Sequence, residues 1–138
     1  MGGDPALSLR GMIYGVGHDL VHHPELGPSL EKPAVLGRLF AQEEIEYCRN
    51  QASDSLACFA RRFAGKEAVI KALGEPTSSL SEIAFSHTSN GGLAVRWSRL
   101  DELGLCAMVS ASSSGQYSSA TAILVSEKLA KVNGEEIP

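Results

Sequence analysis

Residues 55–76, with the sequence SLACFARRFAGKEAVIKALGEP, decide the fold because they predict one long helix that carries charge on its apolar side. Apolar residues recur at helical spacing over 55–73, and Gly74 followed by Pro76 is typical of a helix end. At about 100° per residue, the side chains expected to face the core form one stripe: Leu56, Phe59, Ala60, Phe63 and Ile70. Three neighbours fall outside that stripe, on a face predicted to be solvated: Arg61, Arg62 and Gly65.

Glu67 falls in the middle of the apolar stripe, and Lys71 lies one helical turn further along the same side. Burying a carboxylate without compensating its charge costs several kcal/mol, so Glu67 needs a partner. One interpretation is a Glu–Lys ion pair, since this spacing and order are favourable in a helix. The other is a ligand site at the mouth of the core, with Glu67 on a cation and Lys71 on an anionic oxygen.

A second acidic residue, Asp19, lies near the end of a predicted strand at residues 12–21. Alternation places it on the same face as Gly15 and Gly17, where no side chain would obstruct a ligand. An aspartate at a strand end is also a common cap or turn residue. Two carboxylates from separate elements, with a lysine nearby, would suit Mg²⁺, which binds a few carboxylates together with water and substrate phosphates.

The rest of the chain predicts helices early and strands late, which favours an α+β fold with a largely antiparallel sheet. The expected elements are a connection with one short helical turn at 22–33, a helix at 34–50, a hairpin of strands at 83–85 and 93–97, a short helix at 98–104, and strands at 106–110 and 119–125. The helix at 34–50 is expected to bury Leu36, Leu39, Phe40 and Ile45. We expect a loose leader at 1–11, one domain at 12–126 and a polar tail at 127–138.

Composition excludes several classes of protein. A chain of 138 residues with 43% hydrophobic and 20% charged residues suits one packed domain. A formal charge of −4 argues against a nonspecific nucleic-acid binder, and no run approaches the roughly 20 apolar residues of a membrane span. The first residues lack the order of a secretory signal, and three scattered cysteines indicate neither a disulfide framework nor a zinc site. These features together predict a cytoplasmic protein.

Several segments resemble motifs of the holo-acyl-carrier-protein synthases, the small class of 4′-phosphopantetheinyl transferases. Residues 15–21 read Gly-Val-Gly-His-Asp-Leu-Val and resemble the family's opening Gly-Ile-Gly-x-Asp-Ile-Val. Residues 62–74 resemble its second motif, Arg-Phe-Ala-Ala-Lys-Glu-Ala-x-x-Lys-Ala-Leu-Gly. Residues 38–40 with the acidic run after them, residues 83–97, and Val109-Ser110 with the strand that follows fit further family segments. The likeness covers roughly residues 12 to 126.

The resemblance implies a 4′-phosphopantetheinyl transferase-like fold and a reaction. The family transfers the phosphopantetheine arm of coenzyme A to a serine of an acyl carrier protein, as in fatty acid or polyketide biosynthesis, and releases 3′,5′-ADP. By position, Asp19 and Glu67 would bind Mg²⁺ with the coenzyme A pyrophosphate, Lys71 would contact phosphate, and Arg62 and Lys66 would help to hold the nucleotide. The metal and Lys71 would neutralise charge on the bridging oxygen.

The resemblance has two further implications, for the acceptor of the serine proton and for the oligomeric state. Either Glu67 or a water on the metal would take the proton of the attacking serine hydroxyl. Larger members of the superfamily contain two such units and this chain contains one, so the resemblance implies a homotrimer with each active site in a cleft between protomers. Closed symmetric homo-oligomers are common, which is compatible with a trimer.

This chain departs from the family pattern at two places. Ser113 stands where the family motif Val-Ser-x-Ser/Thr-His has its histidine. Its hydroxyl can hydrogen-bond the phosphate of coenzyme A but cannot carry a positive charge. Residues 22–26, His-His-Pro-Glu-Leu, lack the arginine with which the family meets its acidic carrier, so steering of that partner should be weak.

These departures keep two alternatives open. The first is a divergent family member that no longer performs the transfer and acts as a carrier-protein-binding module, or on carrier-bound acyl chains with other chemistry. The second is a purely structural α+β domain in which Glu67 and Lys71 form only an ion pair. The four histidines are expected to be solvated or structural, and the acidic run Glu43-Glu44-x-Glu46 is expected to be a solvated helix face, unless one of its residues lies near the cation.

Overall fold

One long helix packs across a five-stranded antiparallel sheet within the part of the chain that the structure describes. The structure is a computed structural model, and it describes residues 12–77, 79–89 and 92–127. The α+β prediction is therefore confirmed. The predicted leader, the predicted tail apart from Glu127, and the Asn90-Gly91 centre of the predicted hairpin lie outside the described residues.

The elements follow one another in the order β1 (Ile13–His22), α1 (His23–Leu30), α2 (Pro33–Leu39), α3 (Gln42–Arg49), α4 (Ser55–Leu73), β2 (Ala84–His87), β3 (Leu93–Arg96), α5 (Ser98–Leu103), β4 (Leu105–Ser114) and β5 (Tyr117–Ser126). Short 3₁₀ turns occupy Ala52–Asp54 and Leu80–Glu82. The strand order is β1-β5-β4-β3-β2, so the first strand pairs with the last. Every neighbouring pair is antiparallel.

The stretch between β1 and α4 is more helical and more broken than predicted. In place of a single turn, α1 has eight residues, and one proline lies in its first turn, where a missing N–H costs nothing. The predicted helix at 34–50 is two helices, because Phe40 is extended and its ring packs edge-on against Phe59 at 5.1 Å. The carboxylate of Glu44 then accepts the Ala41 N–H at 3.0 Å and starts α3 as a new helix.

Two glycines let β1 cross α4 at backbone contact distance. A Cβ at Gly17 would lie 2.6 Å from the nitrogen of Ala72, and closer still to the carbonyl oxygen of Ala68. A Cβ at Gly15 would meet the carbonyl group of Ala72 in the same way. The predicted shared face of Gly15, Gly17 and Asp19 therefore points at α4, which brings Asp19 to the helix.

The predicted solvated face of α4 is wrong at Arg62 and Gly65, because α3 and β2 cover them, whereas Arg61 is partly exposed. Arg62 is 3% exposed and Lys66 is fully buried. Gly65 packs under the ring of Phe85, with no room for a side chain. The charge of Lys66 is met by Glu44, which is also fully buried, at 2.6 Å. The acidic run is therefore not wholly a solvated helix face.

Cys48 and Cys58 form a disulfide that joins α3 to α4, with Cα atoms 5.5 Å apart. The sequence predicted no disulfide framework, and this bond corrects that prediction. The two cysteines are ten residues apart and meet only because the two helices pack together. The cysteine pattern therefore no longer supports the predicted cytoplasmic location.

No element among the described residues covers the face of the sheet that points away from α4, and this face is partly apolar. On β1, the side chains of Tyr14, Val16 and Leu20 are 55%, 60% and 62% exposed. On the same face, Met108 of β4 is also exposed. Among the described helices, none combines the length and the apolar character that a membrane span requires.

Candidate active site

The crossing of β1 over α4 brings together Asp19 and Lys71, which are 52 residues apart in the sequence. The Lys71 amine donates to Oδ1 of Asp19 at 2.8 Å and to the backbone carbonyl of His18 at 3.1 Å. Its hydrogen bond with Asp19 raises the pKa of Lys71, so the lysine is charged at neutral pH. Within the described residues, the ion-pair partner of Lys71 is thus Asp19 and not Glu67, in contrast to the predicted intrahelical pair.

Glu67 lies one turn before Lys71, half-buried, and no donor among the described residues is within hydrogen-bond distance of its carboxylate. Burial raises the pKa of Glu67, the negative charge of Asp19 raises it further, and Lys71 opposes both effects. The ionised form of Glu67 is therefore under-compensated in the protein alone. A cation between the two carboxylates would relieve this cost.

All three side chains line one cavity of about 520 Å³. Leu26, Leu39 and Phe63 form part of its apolar wall. The cavity therefore offers charged groups at one place and an apolar surface beside them, as ligand sites commonly do.

The donor set fits Mg²⁺ better than a metal that needs a protein cage. In the ranges that the structure describes, no group of three or more His, Cys, Asp or Glu side chains is arranged to hold an ion. Two carboxylates, Asp19 and Glu67, are hard oxygen donors in an open cavity. Mg²⁺ binds to such pairs and completes its shell with water and substrate phosphates.

The remaining predicted binding residues lie elsewhere. The Lys66 amine donates to Glu44 Oε1 and to the carbonyls of Leu39 and Leu80, at 2.6, 2.9 and 3.0 Å. Burial lowers the pKa of Lys66, and the charge of Glu44 opposes the shift. An ammonium group has three protons, so none is left for a nucleotide, contrary to the prediction. Lys66 is a structural residue that anchors α4.

Arg62 borders a second cavity, of about 260 Å³, together with Arg61 and His87. Its guanidinium lies 4.7 Å from the centre of the Tyr47 ring, and its Nε, 3.7 Å from a carboxylate oxygen of Glu44, has no hydrogen-bond partner among the described residues. Burial lowers the pKa of Arg62. The buried carboxylate of Glu44 partly compensates the charge of Arg62, so Arg62 borders this cavity as one member of a buried ion pair.

Ser113 lies at the end of β4, where its hydroxyl accepts a hydrogen bond from Arg61 at 2.9 Å. The same oxygen is 2.7 Å from the hydroxyl of Ser118 on β5. The sequence patterns did not indicate Arg61, Ser118 or His23 as site residues. Only the pairing of β4 with β5, and its contact with the helices, brings them together.

The fold of this small α+β domain is similar to that of solved holo-acyl-carrier-protein synthases. The crystal structure of that synthase from Neisseria meningitidis matches with a TM-score of 0.73 and 27% identity, over 82% of this chain and 98% of that one. The ACPS–CoA complex from Chronobacterium ammoniagenes matches with a TM-score of 0.68 and 27% identity, over 81% and 96%.

Proteins that are similar to this chain in sequence carry the same name as the structural matches. The holo-[acyl-carrier-protein] synthase of Magnetococcus marinus is 46% identical over 67 residues, which is 46% of this chain and 49% of that protein. The one from Koribacter versatilis is 42% identical over 65 residues, 46% and 51% of the two chains. These matches span about half the length of the relatives. The family model of the 4′-phosphopantetheinyl transferase superfamily matches residues 15–122, and the chain belongs to that superfamily.

Proposed function

We propose that this protein transfers the 4′-phosphopantetheine arm of coenzyme A to a serine of an acyl carrier protein and releases 3′,5′-ADP. The observation that carries the proposal is the meeting of Asp19, Glu67 and Lys71 at one cavity. Support comes from the superfamily match over residues 15–122 and from the coenzyme A complex of a structural relative.

Asp19 and Glu67 are the residues that would hold Mg²⁺. When bound, the ion supplies positive charge that stabilises the pyrophosphate as its bridging bond breaks. Lys71 donates two of its three protons to protein oxygens, so one remains for a phosphate oxygen. Because Asp19 keeps Lys71 charged, this contact strengthens as negative charge develops on the leaving group.

Glu67 is our proposed acceptor for the proton of the carrier serine. Burial moves the pKa of Glu67 upward, toward the range in which a carboxylate exchanges protons near neutral pH. A carboxylate has two oxygens, so one can face the cation while the other accepts the proton.

The nucleotide of coenzyme A is placed by this proposal near the second cavity. Arg61, Arg62 and His87 line it, and none of its described lining residues is acidic, although Asp54 and Glu44 lie 2.7 and 3.7 Å from the two arginines. Such a lining favours phosphate groups. Arg62 and Ser113 therefore remain proposed nucleotide-binding residues, and Arg61 joins them.

We also propose that the protein is a homotrimer with its active site between protomers. On the open face of β1, the side chains of Tyr14, Val16 and Leu20 are each more than half exposed, and clustered exposed apolar side chains are typical of an interaction surface. Burying this face against another protomer would remove it from solvent. Light scattering after gel filtration should give three times the chain mass, and Val16→Lys should give the mass of one chain.

The proposed partner is an acyl carrier protein, and the proposed location is the cytoplasm, where both substrates would be available. Glu25 and His22 lie at the cavity, in the stretch where the family has an arginine. We therefore expect slow, weakly salt-dependent association with an acidic carrier. The alternative of a binding module without transfer is less favoured, because the three residues that transfer requires all face the cavity.

Mass spectrometry of the carrier tests the activity directly. Apo carrier protein, coenzyme A and Mg²⁺ are incubated with the protein, and the carrier should gain one phosphopantetheine arm. Reactions without Mg²⁺, or with Glu67→Gln, serve as controls and should leave the carrier unchanged. If several carriers gain no mass while coenzyme A binds, the protein is a binding module instead.

A further inference from the structure

Four polar side chains from four elements form an unbroken chain of hydrogen bonds. Arg61 of α4 donates to Ser113 of β4 at 2.9 Å, and Ser113 is 2.7 Å from Ser118 of β5. The Ser118 hydroxyl is in turn 2.7 Å from Nε2 of His23 at the start of α1. His23 and Ser118 are buried, 7% and 1% exposed, whereas Ser113 is exposed. The chain thus links a buried histidine to a surface hydroxyl.

The backbone holds both ends of this chain in place. Ser113 and Ser118 are register partners in the β4–β5 pair. The His23 N–H donates to the carbonyl of Gln116, in the turn between these strands, at 2.8 Å. Asp54 accepts a second hydrogen bond from Arg61 at 2.7 Å and holds its guanidinium. The four side chains are therefore already in place to form this series of hydrogen bonds.

The direction of the chain decides what Ser113 offers to a ligand. A hydroxyl donates one hydrogen bond and accepts up to two, and Arg61 can only donate. When His23 Nε2 carries a proton and donates to Ser118, Ser118 donates to Ser113, and the proton of Ser113 is free to point outward. When Nε2 is unprotonated, Ser113 uses its own proton on Ser118 and offers none.

We infer that His23 is a positioning residue that acts through Ser118 to turn the Ser113 hydroxyl outward. Together with Arg61, this hydroxyl then binds an anionic oxygen of the coenzyme A nucleotide. The inference rests on the proposed function, and it adds Ser118 and His23 to the binding machinery. Arg61 also lines the cavity that Arg62 borders, so the chain ends beside the proposed nucleotide site.

Ser118→Ala tests the inference with the smallest change, because it removes one buried oxygen from the middle of the chain. Calorimetric titration with 3′,5′-ADP should show three- to tenfold weaker binding, since nothing then holds the Ser113 proton outward and its hydrogen bond to the charged ligand is weakened. The KM for coenzyme A should rise by the same factor, with kcat within twofold of the parent, because the contact is made equally before and during reaction. A structural role alone would lower the melting temperature without this split.

Variants of His23 separate hydrogen bonding from packing. His23→Gln can still donate from its Nε2 and should keep most of the 3′,5′-ADP affinity, whereas His23→Leu should match Ser118→Ala. Ser86→Ala, an exposed strand serine outside both cavities, is the control and should bind like the parent. Ser113→Ala, at an exposed position, measures the same loss if Ser118→Ala fails to fold.

The outcomes distinguish this inference from the proposed function. Parent-like 3′,5′-ADP affinity in Ser118→Ala and His23→Leu would overturn the role of His23 and leave the transfer untouched. A parent protein that binds 3′,5′-ADP without modifying any carrier would overturn the transfer, and the variants' affinities would still decide the role of His23. A parent protein that does not bind 3′,5′-ADP overturns both.

Discussion

Adding one methyl group at Gly17 should both destabilise the protein and disable its site. A Cβ there would lie 2.6 Å from the nitrogen of Ala72, where 3.4 Å is an ordinary contact, and its other close neighbour is the carbonyl of Ala68. Both are helix backbone atoms, which cannot rotate away as a flexible side chain would. Gly17→Ala therefore forces β1 away from α4 by about 0.8 Å or more.

The size of the effect follows from this displacement. Overpacking in a close-packed core costs roughly 1–3 kcal/mol, and a clash with backbone belongs at the upper end, so we expect about 3 kcal/mol. For a domain of this size that lowers the melting temperature by about 10 °C. Asp19 lies two residues further along the same strand face. A shift of 0.8 Å would stretch its 2.8 Å bond with Lys71 beyond hydrogen-bond distance.

Thermal unfolding by circular dichroism measures the stability, and carrier modification at 15–20 °C below the new midpoint, roughly, measures the site. Gly37→Ala in α2 is the matched control, because a Cβ there meets no described atom within 4 Å. Alanine in a helix should raise stability by about 0.5–1 kcal/mol over glycine. A melting temperature for Gly17→Ala within 2 °C or so of the parent would refute the close crossing of β1 and α4.

Four further outcomes are expected. Glu67→Gln should fold normally and lose at least about 100-fold in transfer, the usual effect of removing one group that stabilises the transition state; parent-like activity would exclude Glu67 as a metal ligand. Burial raises the pKa of Glu67 above its ordinary value of 4.5, so the metal-free protein should lose stability as the pH rises from 4.5 through the pKa of Glu67 in the folded protein. Mg²⁺ affinity requires the ionised carboxylate and should rise over the same pH range. Isothermal titration of Mg²⁺ between about pH 4.5 and 8 measures this slope, which Glu67→Gln should flatten. Lys66→Met leaves the Glu44 carboxylate buried without its partner and should cost about 3–5 kcal/mol in denaturant unfolding, while the folded fraction binds 3′,5′-ADP like the parent; weaker binding at unchanged stability would return Lys66 to the nucleotide site. Ser113→His, at an exposed position, should fold and keep or raise activity, and loss of folding would contradict the placement of residue 113 at the rim of the site.

Local patterns were enough to predict the helix at residues 55–73 and the shared face of Gly15, Gly17 and Asp19. Both depend on the periodicity of residues within one helix or strand, which does not depend on how the rest of the chain packs. The same periodicity indicated that Glu67 and Lys71 share a side of the helix. Motif resemblance then connected these residues to Asp19, which no local pattern could place beside them.

The prediction of a solvated face on α4 was wrong because helical periodicity identifies only the apolar side of a helix and does not show whether other elements cover the polar side. Arg62 and Lys66 are polar in sequence, yet α3 and β2 enclose them, and Glu44 supplies the charge that makes burial tolerable. The Cys48–Cys58 bond escaped prediction for a similar reason, since it requires two helices to pack side by side.

The amino-acid sequence by itself determined the helix, the glycine-bearing strand and the identity of the three residues at the main cavity. Each of these follows from the periodicity or the motif spacing of residues close together in the chain. Only the tertiary structure decided that Lys71 pairs with Asp19, that Lys66 is an anchor, and that His23 reaches Ser113 through Ser118. Those relations join residues from 5 to 95 positions apart, or depend on which side of a helix is covered. The spacing of residues along the chain cannot predict these contacts, because they form only when the strands and helices pack together.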